Sequence, residues 1–227
     1  MAKRKFQREY SVLIAKPHNI ECQTDERVTG FCMKSLERGV AEYLSIPSKL
    51  PELARNYAIH EFLHNPKHAK KTHLFFLDAD TKPVNEYTIE LLLSHNKDVV
   101  AGVTPIFRIK DREINCMWSA VIKDNDKLEN LGIDELPKKL FKADRVGGTT
   151  LLLSRKVLKA LKTPYQESKY NETVTNIKLS EDFDFCEKIK EAGFDIWVDP
   201  TCVCSHYHLI DILDIFQIYK QSKGVLV

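Results

Sequence analysis

The segment His73-Leu-Phe-Phe-Leu-Asp78-Ala79-Asp80 joins a compact apolar run to two acids one residue apart. Such a run reads as a central strand. A strand that ends in acids delivers carboxylates to the C-terminal edge of a sheet, where α/β folds bind their ligands. Like charges at that range repel unless a cation compensates them. Oxygen-only ligands suit a hard divalent ion such as Mg2+ or Mn2+, often shared with phosphate oxygens. A plain turn competes with this, in which Asp80 and Thr81 satisfy backbone donors ahead of Pro83.

Outward from that strand, short apolar runs alternate with helical patterns, which points to an α/β fold with a largely parallel sheet flanked by helices. On the N-terminal side, strands are expected over 11–15, stopped by Pro17, and over 40–46, ended by Pro47. A helix over 51–63 would turn Leu53, Ala54, Tyr57 and Phe62 inward. On the C-terminal side come a helix over 86–94, a strand over 98–104, a β-rich stretch over 113–122 and a polar loop over 123–139. A strand over 149–153 and helices over 156–161 and 180–192 follow, the last with acids in its first turn and Gly193 as its stop. Strand pieces over 196–198 and 202–206 precede a terminal amphipathic helix, whose Leu209, Ile212, Leu213 and Phe216 would pack on the domain. The organisation is one domain over 10–208, after a basic extension at 1–9 and before a helix within 209–227.

With 227 residues, 43% of them hydrophobic and 29% charged, the chain can bury a sizeable core and is no disordered tail, fibre or disulfide-stapled miniature. Its 34 basic and 32 acidic residues leave +2, too near neutrality for nucleic-acid binding by bulk charge. Lys3, Arg4, Lys5 and Arg8 make the one local exception, a solvated terminus or a polyanion-binding arm. The charged start and the lack of a long apolar run predict a cytoplasmic protein with no transmembrane segment, whose six cysteines are reduced core residues.

Several motifs occur in order: Ala54-Arg55-Asn56, Phe76-Leu77-Asp78-Ala79-Asp80, Gly147-Gly148-Thr149, Glu181-Asp182-Phe183-Asp184, and Ala192-Gly193-Phe194. Together they resemble the family-two glycosyltransferases of the GT-A fold, from about residue 10 to 208. The resemblance implies a nucleotide-sugar donor, a Mn2+ or Mg2+ ion and inversion at the anomeric carbon. It implies that Asp80 binds the metal directly, that Asp78 contacts the ribose or the metal through water, and that His206 completes the metal shell, with His208 as the fallback. Ala79, between the two acids, is counted with them among the donor-binding residues, and Ala15, Lys16 and Pro17 would line the nucleotide pocket. Arg55 would sit near the nucleotide, as suits a guanidinium, and Gly147-Gly148 would let backbone approach the donor sugar. Asp182 is the implied base for an acceptor hydroxyl, with Glu181 orienting it. Without the resemblance, Ser180 capping a helix with acids in its first turn accounts for the same residues.

Cys202, Cys204, His206 and His208 alternate and invite a zinc site, but residues two apart on a strand lie roughly 6.5–7 Å from each other and cannot wrap a tetrahedron. The family's usual acid after the second strand is replaced by Ile46-Pro47-Ser48, so uridine as the donor base rests on analogy. The acceptor is a hydroxyl on a polysaccharide, a lipid-linked sugar, a protein or a hydroxylated DNA base. Two other classes compete. A nucleotidyltransferase would carry a glycine-rich loop where Lys16-Pro17-His18-Asn19 stands, and a non-catalytic nucleotide or polyanion binder would leave the acidic set unexplained.

Overall fold

The computed structural model describes residues 10–18, 25–48, 50–110, 113–125, 127–173, 175–208 and 212–222. The expected basic extension at 1–9, together with Asn19, Cys22 and Leu209, lies outside the described residues. In chain order the elements are β1 (Val12–His18), α1 (Glu26–Glu37), β2 (Ala41–Pro47), α2 (Pro51–His64), β3 (His73–Phe76), β4 (Thr81–Pro83), α3 (Thr88–Ser94), β5 (Val99–Val103), β6 (Pro105–Lys110) and β7 (Glu113–Asp124). They continue as β8 (Lys127–Gly132), β9 (Phe141–Ala143), β10 (Arg145–Val146), β11 (Leu151–Ser154), α4 (Arg155–Ala160), β12 (Lys169–Tyr170), β13 (Ile177–Leu179), α5 (Glu181–Glu191), β14 (Ile196–His206) and α6 (Ile212–Ser222).

The main sheet runs β2-β1-β3-β11-β5-β14-β4, with β9 also on β14. β2, β1, β3, β5 and β14 share one direction, while β11, β4 and β9 oppose it, so the sheet is mixed but mostly parallel. β7 is the centre of a second sheet with β6, β8 and β10, and β12 and β13 form a separate hairpin.

Period-two alternation sorts the central strands between two cores. Leu13, Ala15, Leu74 and Phe76 pack with Ala54, Ala58, Ile59 and Phe62 of α2 and Phe185 and Ile189 of α5. Val12, Ile14, Phe75 and Leu77 pack with Val28, Phe31 and Cys32 of α1 and Ile89, Leu92 and Leu93 of α3. Burial on both faces explains why these strands read as continuous apolar runs. Each buried Phe contributes about 1.5–3 kcal/mol.

Several expectations need correction. Helix α1 was not anticipated. Asp25 caps it by accepting from the Arg27 amide, and it ends in a Schellman pair, with the Gly39 amide on Leu36 O and the Val40 amide on Ser35 O. Gly39 takes φ +70° there, as that ending requires. In α2, Leu53 and Tyr57 are exposed, while Ala54, Arg55, Ala58, Ile59 and Phe62 face inward. Small Ala54 and Ala58 let the helix approach the sheet, and Arg55 turns inward to meet carboxylates.

β1 runs through Pro17, because β3 pairs with it only as far as Ala15 and the missing N–H interrupts no ladder on that side. The expected loop over 123–139 contains the β7–β8 hairpin, turning at Asn125 with φ +46°. The two expected pieces near the C-terminus are one strand, β14, whose pairing with β5 slips between Val198 and Val203, around Pro200. In α6, Ile212 and Phe216 are exposed rather than packed on the domain. Cys32, Cys186, Cys202 and Cys204 are buried free thiols, as expected of core residues, whereas Cys116 is exposed. No helix among the described residues is long and apolar enough to cross a membrane.

Candidate active site

The Asp78-Ala79-Asp80 turn leaves the C-terminal end of β3 at the middle of the sheet, and the backbone holds it at each residue. Asp78 O accepts from the Thr81 amide at 3.2 Å, Ala79 O from the Asp25 amide at 3.1 Å, and Asp80 O from the Tyr207 amide at 2.8 Å. The turn is therefore anchored to the start of α1 and to the end of β14. Asp25, Arg27 and Tyr207 escaped the sequence reading; their only signal was an Asp followed by apolar residues at 28, 31 and 32.

Arg55 is the centre of the site. Its guanidinium, on a residue only 3% exposed, joins three elements. Nη2 donates to both oxygens of Asp78 at 3.1 Å. Nη1 bonds Asp182 at the start of α5 and lies 3.4 Å from Oε1 of Glu181. Burial works against the charge, but Asp182, Asp78 and Glu181 outweigh it and hold Arg55 protonated. Burial raises the Asp78 pKa more than Arg55 lowers it. Burial and the charge of Asp182 likewise raise that of Glu181. Ser180 occupies the cap position of α5 without a side-chain capping bond, so capping alone does not account for the acids that follow it.

Gly148 is the place where this pair passes the backbone. A Cβ there would lie 2.7 Å from Arg55 Cζ and closer still to Asp182 Oδ1. The glycine is thus required by the ion pair, whereas a Cβ on Gly147 would meet only Ser119 at 3.4 Å. Thr149 Oγ1 accepts from the Asp78 amide at 3.5 Å.

Asp80 meets His206, with Nε2 3.7 Å from Oδ2. Nδ1 of His206 lies 3.0 Å from the Pro105 carbonyl, which can only accept, so Nδ1 carries a proton and Nε2 is the nitrogen turned toward Asp80. Asp80 raises the His206 pKa against burial. The His208 ring lies tilted against that of His206, 4.0 Å between centroids, with its Nε2 3.2 Å from Nδ1.

Of the three expected metal ligands, Asp80 and His206 come together, and Asp78 gives its carboxylate to Arg55. Among the described residues no three or more His, Cys, Asp or Glu side chains form a metal cage. Asp80 and His206 at the sheet edge, with four carboxylates in the site against one guanidinium, would still suit a hard divalent ion that took the rest of its shell from phosphate and water. Ala15, Lys16 and Pro17 are all buried. Lys16 points to the α1 side, its Nζ 3.5 Å from Thr29 Oγ1, with its pKa lowered by burial. Arg55, expected near the nucleotide, is engaged by the carboxylates of Asp78, Glu181 and Asp182.

No protein-family profile matches the sequence, and no curated protein does. Solved structures do resemble it. A197 from STIV aligns with a TM-score of 0.54 at 17% identity, over 89% of this chain and 86% of that one. GalNAc-T7, solved with UDP, GalNAc and Mn2+, aligns with a TM-score of 0.54 at 12% identity, over 89% of this chain but only 44% of that one. The inositol-1-phosphate CTP transferase from T. maritima aligns with a TM-score of 0.39 at 11% identity, too loosely to carry weight. At these identities the likeness is one of fold: a mixed α/β architecture shared with a protein solved around a nucleotide, a sugar and a divalent cation.

Proposed function

We propose that this chain is a divalent-cation-dependent glycosyltransferase. In this proposal it moves a sugar from a nucleotide-diphosphate sugar, with uridine as the base, to a hydroxyl acceptor with inversion. One observation carries it: Asp78, Asp80, Glu181, Asp182, Arg55 and His206, scattered over more than 150 positions, converge at the C-terminal edge of the sheet.

Asp80 and His206 Nε2 would hold Mn2+ or Mg2+, which when bound supplies positive charge to the departing diphosphate. Arg55 holds the carboxylates of Asp78 and Asp182 at fixed positions, so the donor side and the acceptor side of the site share one guanidinium. Asp182 is spent as the partner of Arg55. Glu181 is held more loosely, its Oε1 3.4 Å from Nη1, and we assign it the base role that its neighbour was expected to play. It takes the hydroxyl proton as the acceptor oxygen attacks the anomeric carbon, and the nucleoside diphosphate leaves.

The test is a screen of nucleotide sugars with Mn2+, scored by nucleoside-diphosphate release and by donor-dependent thermal stabilisation. Asp80→Asn should remove both signals. Undiminished transfer by that variant would refute the assignment, and release of pyrophosphate instead would make the chain a nucleotidyltransferase.

A further inference from the structure

The backbone anchors of the Asp78-Ala79-Asp80 turn come from two distant places, Asp25 at the start of α1 and Tyr207 beyond β14. A single side chain links those two anchors. Arg27 forks onto the Asp25 carboxylate, Nε to Oδ1 at 2.8 Å and Nη2 to Oδ2 at 2.6 Å. Its guanidinium carbon also lies over the Tyr207 ring, 3.5 Å from the centroid. The contacts close a ring: Arg27, Asp25, Ala79, Asp80, Tyr207 and back to Arg27. His206, the neighbour of Tyr207, lies on the same strand end that the ring holds.

An Arg whose side chain is 59% exposed adds little to global stability through an ion pair. Nor does the α1 cap need it, because the Asp25 side chain already accepts from the Arg27 amide. Its distinctive effect is geometric. The planar fork fixes the guanidinium to Asp25, and the flat stack fixes Tyr207 to the guanidinium. Separation of α1 from the end of β14 would move the Asp25 and Tyr207 amides apart and pull the turn between them. The β4–β14 ladder keeps His206 opposite Thr81, so the change would fall on the spacing of the Asp80 and His206 side chains.

We propose that Arg27 and Tyr207 form a bracket that holds Asp80 and His206 at the spacing a shared cation requires. They are positioning residues, since neither reaches the cation. The significance of the bracket for catalysis rests on the function proposed above, but the bracket itself can be read without any ligand.

Native-state hydrogen exchange on the full chain provides that reading. In Arg27→Gln, the amides of Asp25 and Tyr207, both bonded to the turn, should exchange about two- to fivefold faster, in line with the loss of one exposed cation–π contact. Amides of β3 and β5 should keep their rates, and the Tm should stay near that of the wild type. Tyr207→Phe keeps the ring face and should behave as wild type, whereas Tyr207→Leu should behave as Arg27→Gln. With Mn2+ and UDP as probes, the Mn2+ concentration that gives half of the thermal stabilisation should rise about two- to fivefold in Arg27→Gln and Tyr207→Leu.

Unchanged exchange at both amides in those two variants overturns the bracket. Faster exchange with an unchanged Mn2+ requirement overturns its role in spacing the cation site. Wild-type protein that shows no Mn2+-dependent response to UDP refutes the proposed function, while the exchange rates still decide the bracket.

Discussion

Arg55→Met is the substitution whose consequence the structure specifies most fully. The side chains are close in length, so the change removes a charge more than it opens a cavity. In the wild type the guanidinium is buried and meets Asp78 through Nη2 and both Asp182 and Glu181 through Nη1. Without it, three carboxylates face one another from the turn after β3 and from α5, with no cation among the described side chains they touch. Removal of one partner from a buried pair typically costs about 3–5 kcal/mol, because the other charge is left uncompensated. These carboxylates keep 19–30% of their side-chain surface exposed, so some water can reach them and the low end, about 3 kcal/mol, is the better figure. Against a total stability of about 5–15 kcal/mol this is a large fraction. At roughly 2–4 °C per kcal/mol for a chain of this size, the Tm should drop by about 6–12 °C. Thermal unfolding followed by circular dichroism, without metal or nucleotide, measures it. Arg55→Lys should recover only part of the loss, since one ammonium cannot bridge Asp78 and Asp182 from opposite sides. Addition of Asp182→Asn to Arg55→Met should return stability, because the amide removes a charge that has lost its partner. A Tm within about 2 °C of wild type in Arg55→Met, or a double variant less stable than either single one, would refute this electrostatic account of the site.

Gly148→Ala should destabilise by about 1–3 kcal/mol in chemical denaturation, since its methyl would push apart the Arg55–Asp182 pair. Gly30→Ala, in α1 with nothing within 4 Å of the new methyl, should instead stabilise by about 0.5–1 kcal/mol; similar effects at the two sites would contradict the crowding at Gly148. If Glu181 is the base, Glu181→Gln should lower kcat more than Asp182→Asn at saturating donor, and equal or reversed losses would return the role to Asp182. Burial pushes the His73 imidazole down to about 4, and the Asp98 charge offsets only part of that; Thr72 and the Tyr10 ring are its other neighbours. The folded protein thus keeps His73 neutral, and the stability this brings is present above the ordinary value of about 6.5 and lost as pH falls toward 4. Urea unfolding across that window should show a shallower acid loss in His73→Gln than in wild type, and parallel curves would refute it.

The parts of the molecule legible in its residues are those where one physical demand acts alone. Leu74 to Phe76 could only be a strand buried on both faces, and Gly193, with φ +86° and its amide on Lys190 O, could only end a helix. Legibility fails where two demands meet in one residue. Position 55 falls on the inward face of α2, where an apolar residue is the rule, so the pattern turned Leu53 and Tyr57 inward instead; the burial of a charge is affordable there only because β3 and α5, 23 and 126 or more positions away, bring their acids to it. Gly148 has no local reason to be glycine, since its demand is set by the side chains of Arg55 and Asp182 crossing above it. Helix α1 was hidden because its signals are ordinary: a capping Asp, three spaced apolar residues and a closing Gly39 in a segment without a long apolar run. Yet α1 supplies both Asp25, which holds the Ala79 carbonyl, and Arg27, which reaches Tyr207. The acids of the site are therefore visible as motifs, while the groups that fix their spacing are visible only in the folded chain. Substitutions at Arg55, Gly148 and Arg27 accordingly separate a site that merely contains carboxylates from one that holds them in place.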